Sequence, residues 1–300
     1  MSKHRIALVV NPVSGVGRAA HMAQAVAERL GAGASVQVHA GASPAESAEL
    51  LAAVAGVCDA VVVLGGDGIV HLALQALALG DTPLGIVPAG TGNDTADALG
   101  LPSDPMAAAD AVLAALDNGW VRHIDLGRTD TGRWWGTVLC AGFDSSVTQT
   151  ANRMRWPKGP RRYDIAIGVE VLKLHPRQMS IRLDDEQLDL PVTLVAVGNA
   201  PQYGGRKYIT PHAKMDDGMF SVAVIDAVSR FELARMAPSL NYAGHVTHPA
   251  VRMYSARTVE LSAPRTTAYA DGEFVDALPV RTECVPAALP VLAPPVAGRN

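Results

Sequence analysis

Cysteine is scarce. Cys58, Cys140 and Cys284 are the only three in 300 residues, far apart and odd in number. That excludes a disulfide scaffold, shows no metal-type spacing, and fits reduced structural thiols in the cytosol. An excess of one charge is also missing. Against 25 Lys and Arg stand 29 Asp and Glu, a formal charge of −4, so no basic field marks a nucleic-acid partner. No apolar run is long enough to span a bilayer. The first, Ile6–Val10, is too short for a span or a signal-peptide core, so any membrane contact is expected to be peripheral. Aromatics are 5% of the chain while Ala is abundant and apolar residues reach 49%. This is the composition of a globular protein whose helices pack closely on a sheet, with length enough for two domains or one large one.

Around this background one stretch organises the rest, Val61-Val62-Val63-Leu64-Gly65-Gly66-Asp67-Gly68. A β-branched apolar run enters a glycine turn, and a helical pattern follows from Ile69 to Leu79. Glycine lets the backbone approach a phosphate, and the N–H groups at a helix start favour an anion. The carboxylate of Asp67 would repel phosphates unless a divalent cation stood between, so the turn reads as a nucleotide–Mg²⁺ site. The bland reading is an ordinary strand-to-helix turn. Two further loops resemble it. Leu84-Gly85-Ile86-Val87 runs into Pro88-Ala89-Gly90-Thr91-Gly92-Asn93-Asp94, and Ile6–Val10 runs into Asn11-Pro12-Val13-Ser14-Gly15. In an open parallel sheet ligands bind outside the carboxyl ends of the strands, so three such loops on one edge would build one site.

These motifs resemble the catalytic domain of the diacylglycerol kinase family, which includes bacterial soluble diacylglycerol kinases, sphingosine and ceramide kinases and, more distantly, NAD kinases. The family pattern is an Asn-Pro-x-Ser-Gly loop, a Gly-Gly-Asp-Gly loop and a Gly-Thr-x-Asn-Asp loop, and all three occur here in order. The chain departs at Ile69, where most members carry Thr, at His71-Leu72, and at Ala40-Gly41-Ala42, which lacks a frequent Thr. The resemblance implies an N-terminal Rossmann-like α/β nucleotide domain, a C-terminal antiparallel β-sandwich domain, and an active site in the cleft between them.

The residue pattern divides the chain in the same way. Helices are expected over Gly17–Leu30, from the capping box Ser43-Pro44-Ala45-Glu46 to about Ala55, and from Ser103-Asp104-Pro105 to about Asn118. They alternate with strands at Ile6, Val36, Val61 and Leu84. Domain boundaries fall at 1–122 and 123–300, with a Pro- and Ala-rich tail from Val285 that is loose, extended or returned to the first domain. Beyond Val121 the strand-like segments are Ile124–Arg128, Arg133–Ala141, Gln178–Leu183, Gln187–Leu190, Val192–Val197, Met219–Ile225, Val251–Tyr254, Thr258–Ser262 and Thr267–Ala270. Two helices interrupt them, Tyr163–Leu174 and one beginning at the second capping box, Ser229–Glu232.

In that half, Asp271-Gly272-Glu273 is the best acid–base candidate, because a lipid hydroxyl is a poor nucleophile until a carboxylate accepts its proton. A plain Asp-Gly hairpin turn is the bland reading. The resemblance assigns the base to Glu273. It also implies a structural Mg²⁺ at Lys214-Met215-Asp216-Asp217-Gly218-Met219, through the carboxylate of Asp217 and the carbonyls of Lys214 and Met219. Gly142-Phe143-Asp144 and Asn199–Gly205 match weaker family loops. Arg153, Arg155, Lys158, Arg161 and Arg162 surround Trp156, a pattern suited to an anionic membrane surface, though such a charge run is more often a solvated loop. His245 and His248 read as structural, and Trp134-Trp135 as sandwich core or rim.

The function expected from residues and resemblance together is a cytoplasmic kinase. It transfers the γ-phosphoryl group of ATP, with Mg²⁺, to diacylglycerol at a membrane surface, giving phosphatidic acid. Asn11, Pro12, Ser14, Gly15, Gly65, Gly66, Asp67, Gly68, Gly90, Thr91 and Asn93 hold the nucleotide, and Glu273, Asp67 and Asp94 are the catalytic set. Asp67 orients Mg²⁺ through water, and Asp94 supports the metal or the acceptor. The open alternatives are another acceptor (a sphingoid base, another lipid, NAD) and a nucleotide-binding regulator without turnover. Partners are a lipid and no nucleic acid, with a homodimer left open.

Overall fold

The computed structural model describes residues 4–154, 156 and 161–295. The chain divides into two compact units, Met1–Leu126 with Pro286–Asn300, and Gly127–Val285.

In the first unit, strands and helices alternate: β1 (His4–Val10), α1 (Arg18–Gly31), β2 (Ala34–Ala40), α2 (Pro44–Val54), β3 (Ala60–Gly65), α3 (Asp67–Leu77), β4 (Leu84–Pro88), α4 (Asp94–Ala98) and α5 (Pro105–Asn118). The four strands are parallel in the order β2-β1-β3-β4. Every residue of β3 is buried, as expected of a β-branched run covered on both faces. Local chemistry sets the helix starts. Ser43 accepts the Glu46 N–H while Glu46 returns to the Ala42 N–H, and Asp104 accepts from Met106 and Ala107. Ile6, Leu8, Leu30, Leu64 and Val112 form one core face between sheet and helices.

The second unit is the antiparallel sandwich. Its elements are β5 (Val121–Thr129, which begins in the first unit), β6 (Trp134–Trp135), β7 (Val138–Gly142), α6 (Phe143–Arg153), α7 (Arg161–Leu172), β8 (Arg177–Leu183), β9 (Glu186–Gly198), β10 (Phe220–Asp226), α8 (Arg230–Met236), β11 (Val251–Ala256), β12 (Thr258–Ser262), β13 (Thr267–Ala270), β14 (Glu273–Ala277) and β15 (Val280–Leu292, which ends in the first unit). The long strand β9 pairs with β8 through its first half, and with β7 and β10 through its second. Trp135 is core, stacked on Phe220 at 5.0 Å between ring centres and donating its indole N–H to Thr282.

Three expectations are corrected here. The segment Arg133–Ala141 is not one strand, because Gly136 and Thr137 break it into β6 and β7. Gln187–Leu190 and Val192–Val197 are one strand, β9, which runs straight through Pro191. Phe143–Arg153 is a helix, where only the loop Gly142-Phe143-Asp144 was expected. Its Phe143, Val147 and Ala151 recur every fourth residue and pack together. Of the alternatives left open for the tail from Val285, the extended return to the first unit is the one found: β15 runs to Leu292 and pairs in parallel with Leu84 through Val291. No helix among the described residues is long and apolar enough to cross a membrane.

Candidate functional site

In the first unit the chain passes from β1 to β2 on one side and then to β3 on the other, so the strand order reverses between β1 and β3. The loops leaving these two strands meet there. Asn11 donates its N–H to the Leu64 carbonyl at 3.1 Å, and the Ser14 hydroxyl accepts the Gly66 N–H at 3.2 Å. The loop after β4 joins them, with the Ala89 N–H on the Gly65 carbonyl at 2.7 Å. The three polar loops therefore touch one another at the crevice where α/β sheets bind ligands. Packing explains two of the glycines. Gly15 has φ +59, and a Cβ there would collide with the Ala89 carbonyl oxygen. A Cβ on Gly90 would run into Gly66.

Asn93 shapes the third loop. Its φ is +62, its side-chain oxygen accepts the Gly90 N–H at 2.9 Å, and its side-chain amide donates to the Gly90 carbonyl at 3.2 Å. One side chain thus closes the turn on both sides, and Thr91 and Gly92 are left exposed at its tip. Gly68 is exposed too, while Asn11, Pro12, Ser14, Gly15, Gly66 and Asp67 are half-buried. Ile69 is buried as core and its methyl lies against Gly65, so it is a packing residue here.

Asp67 opens α3 and does something the sequence did not announce. Its carboxylate accepts the N–H of Asn93 at 2.8 Å and of Thr95 at 3.4 Å, and so caps the next helix, α4. A Cβ placed on Gly92 would lie 2.6 Å from Asp67 Oδ2 and 3.8 Å from Asp94 Oδ2. Both carboxylates therefore converge on Gly92, a donor set that fits a hard divalent cation. Also unforeseen is Asp125 on β5, 3% exposed, which accepts the Ala287 N–H at 2.8 Å. The readable signal was an acid between two apolar residues, Ile124 and Leu126.

In the second unit, Asp271 and Gly272 form the two-residue turn between β13 and β14, with φ of +53 and +82. Glu273 follows as the exposed first residue of β14. Asp217 is also exposed, in a turn where its carboxylate accepts the Met219 N–H at 3.2 Å, with Gly218 at φ +74. One carboxylate with the carbonyls of Lys214 and Met219 is chemistry a hard cation accepts. No cluster of three His, Cys, Asp or Glu side chains suited to a metal occurs among the described residues. Asp144, at the start of α6, takes a hydrogen bond from the Tyr203 hydroxyl. Although partly accessible, it is packed tightly enough that burial pushes its carboxyl up to about 6, against the opposing pull of Tyr203. His245 is buried, its Nε2 3.0 Å from the Ile209 carbonyl oxygen, and burial lowers its pKa. Arg155 and Lys158 of the basic loop lie outside the described residues. Trp156 is exposed, as are Arg153 and Arg161.

Comparison with known proteins connects both units to one family. Residues 5–129 match the diacylglycerol kinase catalytic domain, and residues 137–293 match the YegS C-terminal NAD kinase beta sandwich-like domain. A diacylglycerol kinase of Mycobacterium tuberculosis is 43% identical over 97% of this chain and 95% of its own. The diacylglycerol kinase of Bacillus subtilis is 28% identical over 92% of this chain and 91% of its own. A probable lipid kinase of the YegS-like type from Pectobacterium atrosepticum is 29% identical over 79% of each. A solved diacylglycerol kinase structure from Bacillus anthracis superposes with TM-score 0.75 at 17% identity, covering 98% of both chains, which speaks for the fold. With both parts of the chain matched and a relative this similar over nearly its whole length, the chain belongs to the diacylglycerol kinase catalytic-domain family of kinases.

Proposed function

We propose that this kinase transfers the γ-phosphoryl group of ATP to the hydroxyl of diacylglycerol, producing phosphatidic acid, as a cytoplasmic protein in peripheral contact with the membrane. The observation that carries the reading is the meeting of the three glycine-bearing loops at the reversal of strand order. The name of the Mycobacterium tuberculosis relative supports the acceptor.

Each part of the first unit's site has a use in this chemistry. The N-terminus of α3 and the backbone of Gly65, Gly66 and Gly68 present N–H groups and close approach to an anion. Asn11, Pro12, Ser14 and Gly15 form the facing wall, and Gly90, Thr91 and Asn93 the third side. Asp67 and Asp94 would hold Mg²⁺ where they converge, and Asp217 with the Lys214 and Met219 carbonyls would hold a structural one. When bound beside the nucleotide, the cation neutralises charge that develops on the phosphates. Phosphoryl transfer needs little covalent help from protein beyond placement and electrostatics, except that the acceptor hydroxyl must lose its proton. Glu273 is exposed and carries no partner role in the core, and we assign that proton to it.

The test is direct. Purified protein is incubated with γ-labelled ATP, Mg²⁺ and a panel of lipids in mixed micelles, with sphingosine and NAD as parallel acceptors. Labelled phosphatidic acid is the expected product. Label on another acceptor instead would replace diacylglycerol. ATP binding with no labelled product would reduce the protein to a nucleotide-binding regulator.

A further inference from the structure

The turn that carries Glu273 is not an ordinary hairpin. In a two-residue Asp-Gly turn with both φ positive, the Asp side chain usually faces solvent and serves only the turn. Here the Asp271 carboxylate reaches across to residues more than 130 positions earlier. Its Oδ2 accepts the Gly136 N–H at 2.9 Å, and its Oδ1 accepts both the Thr137 N–H at 2.8 Å and the Thr137 hydroxyl at 2.7 Å. The Asp271 N–H in turn donates to the Val138 carbonyl at 3.2 Å.

The receiving turn is itself held from behind. Asn199, fully buried at the end of β9, donates its side-chain amide to the Gly136 carbonyl at 2.9 Å and its N–H to the Thr137 carbonyl at 2.9 Å. Ala200 donates to the same Thr137 carbonyl at 3.0 Å. So the donors of Gly136 and Thr137 face Asp271 and their carbonyls face Asn199 and Ala200. A further bond, from the Asn152 side chain of α6 to the Gly272 carbonyl at 3.1 Å, fixes the turn on its other flank. Glu273 sits next in the chain, on β14, which pairs with β13. An end strand with few neighbours would let such a side chain wander by more than a proton transfer tolerates.

We infer that Asp271 is a positioning residue for Glu273, with Thr137 and Asn199 as its supports. The break at Gly136-Thr137 between β6 and β7 then has a purpose: it frees two backbone N–H groups from the ladder to anchor the Asp-Gly-Glu turn. This rests on the reading of Glu273 as proton acceptor, and the test separates the two.

Asp271→Asn, Thr137→Val, Thr137→Ser and Glu273→Gln are made singly, and Asp271→Asn is also combined with Glu273→Gln. For each, kcat, KM for ATP and melting temperature are measured. Glu273→Gln alone should lower kcat by roughly 10²- to 10⁴-fold, the usual contribution of a general base. Asp271→Asn should lower kcat by up to about 10²-fold, the cost of a misplaced group, with KM for ATP unchanged. Thr137→Val, which keeps the backbone donors, should lose less, and Thr137→Ser should restore activity. In the double variant Asp271→Asn should add almost nothing, since the group it positions is gone. If the two losses multiply, or if Asp271→Asn turns over like wild type while Glu273→Gln does not, the positioning role is wrong and the base stands. If Glu273→Gln itself retains wild-type kcat, both ideas fall. Should Asp271→Asn not fold, the Thr137 pair decides alone: equal activity in Val and Ser overturns the proposal.

Discussion

The two units present polar chemistry in opposite ways. In the first, the site is mostly main chain: glycines at close approach, helix N-termini and an Asn that imitates backbone. In the second, an exposed acid follows a turn locked by the Asp271 carboxylate onto Gly136 and Thr137 and by Asn152 of α6. A backbone site binds a constant partner such as a phosphate, whose geometry does not change from one acceptor to the next. A side-chain site supplies a titratable group, which must be oriented as well as present. The proposed reaction accordingly assigns nucleotide handling to the first arrangement and proton handling to the second.

The hardest break of this contrast is at Asp67, a carboxylate embedded in the backbone site. Asp67→Ala should reduce kinase activity by about 10³-fold or more, the loss seen when a preorganised charge is removed from a transition state. It also uncaps α4, at about 1 kcal/mol. Asp67→Asn keeps an oxygen for the Asn93 N–H, so it should restore stability without restoring activity. Wild-type turnover in either variant at saturating ATP and Mg²⁺ would move the site elsewhere.

A milder break is Gly15→Ala. The new Cβ meets the Ala89 carbonyl in a left-handed conformation, which strains the contact between the first and third loops at roughly 1–3 kcal/mol. The expected result is weaker ATP binding, raised about tenfold in Kd for each 1.4 kcal/mol that reaches the site. Diacylglycerol KM should barely move. If the lipid KM rises while ATP affinity holds, the division of labour drawn here is reversed.

Asp144 sharpens the contrast from the other side, because its charge is a cost. Its folded pKa of about 6 lies above the ordinary value of 3.8. The native state then binds more protons than the unfolded one between those values, so stability is lost as pH rises through the window. The full penalty above pH 6 is about 3 kcal/mol at most. Asp144→Asn, which can still accept from Tyr203, should melt a few degrees higher than wild type at pH 7.5 and equally at pH 4. A variant that melts lower than wild type at pH 7.5 would show that Asp144 is favourably ionised, and a gain that does not shrink at low pH would show that its charge is not the cause.

The smallest effect is expected at Asp217. Titrating Mg²⁺ into wild type should raise the melting temperature by RT ln(1 + [Mg²⁺]/Kd), and Asp217→Asn should flatten that curve. Identical curves for the two proteins would remove the metal from this turn.

Legibility in the sequence followed the range of the contacts. The parallel unit was readable because each strand, its loop and its helix are consecutive, so Val61–Gly68 announces itself within eight residues. Even there, the capping of α4 by Asp67 was hidden, because it joins positions 26 apart that only strand order brings together. In the sandwich, Gly136, Asn199 and Asp271 had no local mark of belonging to one anchor. Their meeting depends on β7 lying between β9 and β13, a pairing that side-chain periodicity does not encode. The helix α6 was not expected beyond the loop Gly142-Phe143-Asp144; Ser and Thr are weak helix formers, and the packing of Phe143, Val147 and Ala151 decides for helix.

The last strand has a consequence for synthesis. Residues after Pro286 complete the first unit: Ala287 donates to buried Asp125, the Ala288 carbonyl accepts the Leu79 N–H, Val291 pairs with Leu84, and Leu292 enters the core. A ribosome emits these residues about 165 positions after Leu126. At roughly 5–20 residues per second, the nascent first unit waits on the order of 10 to 30 s with β4 as an open edge. Such an edge invites pairing with other chains. Slow or interrupted translation of the final stretch is then a distinct hazard for this protein. Removing residues from Pro286 onward should yield an aggregating first unit, not a slightly shortened enzyme.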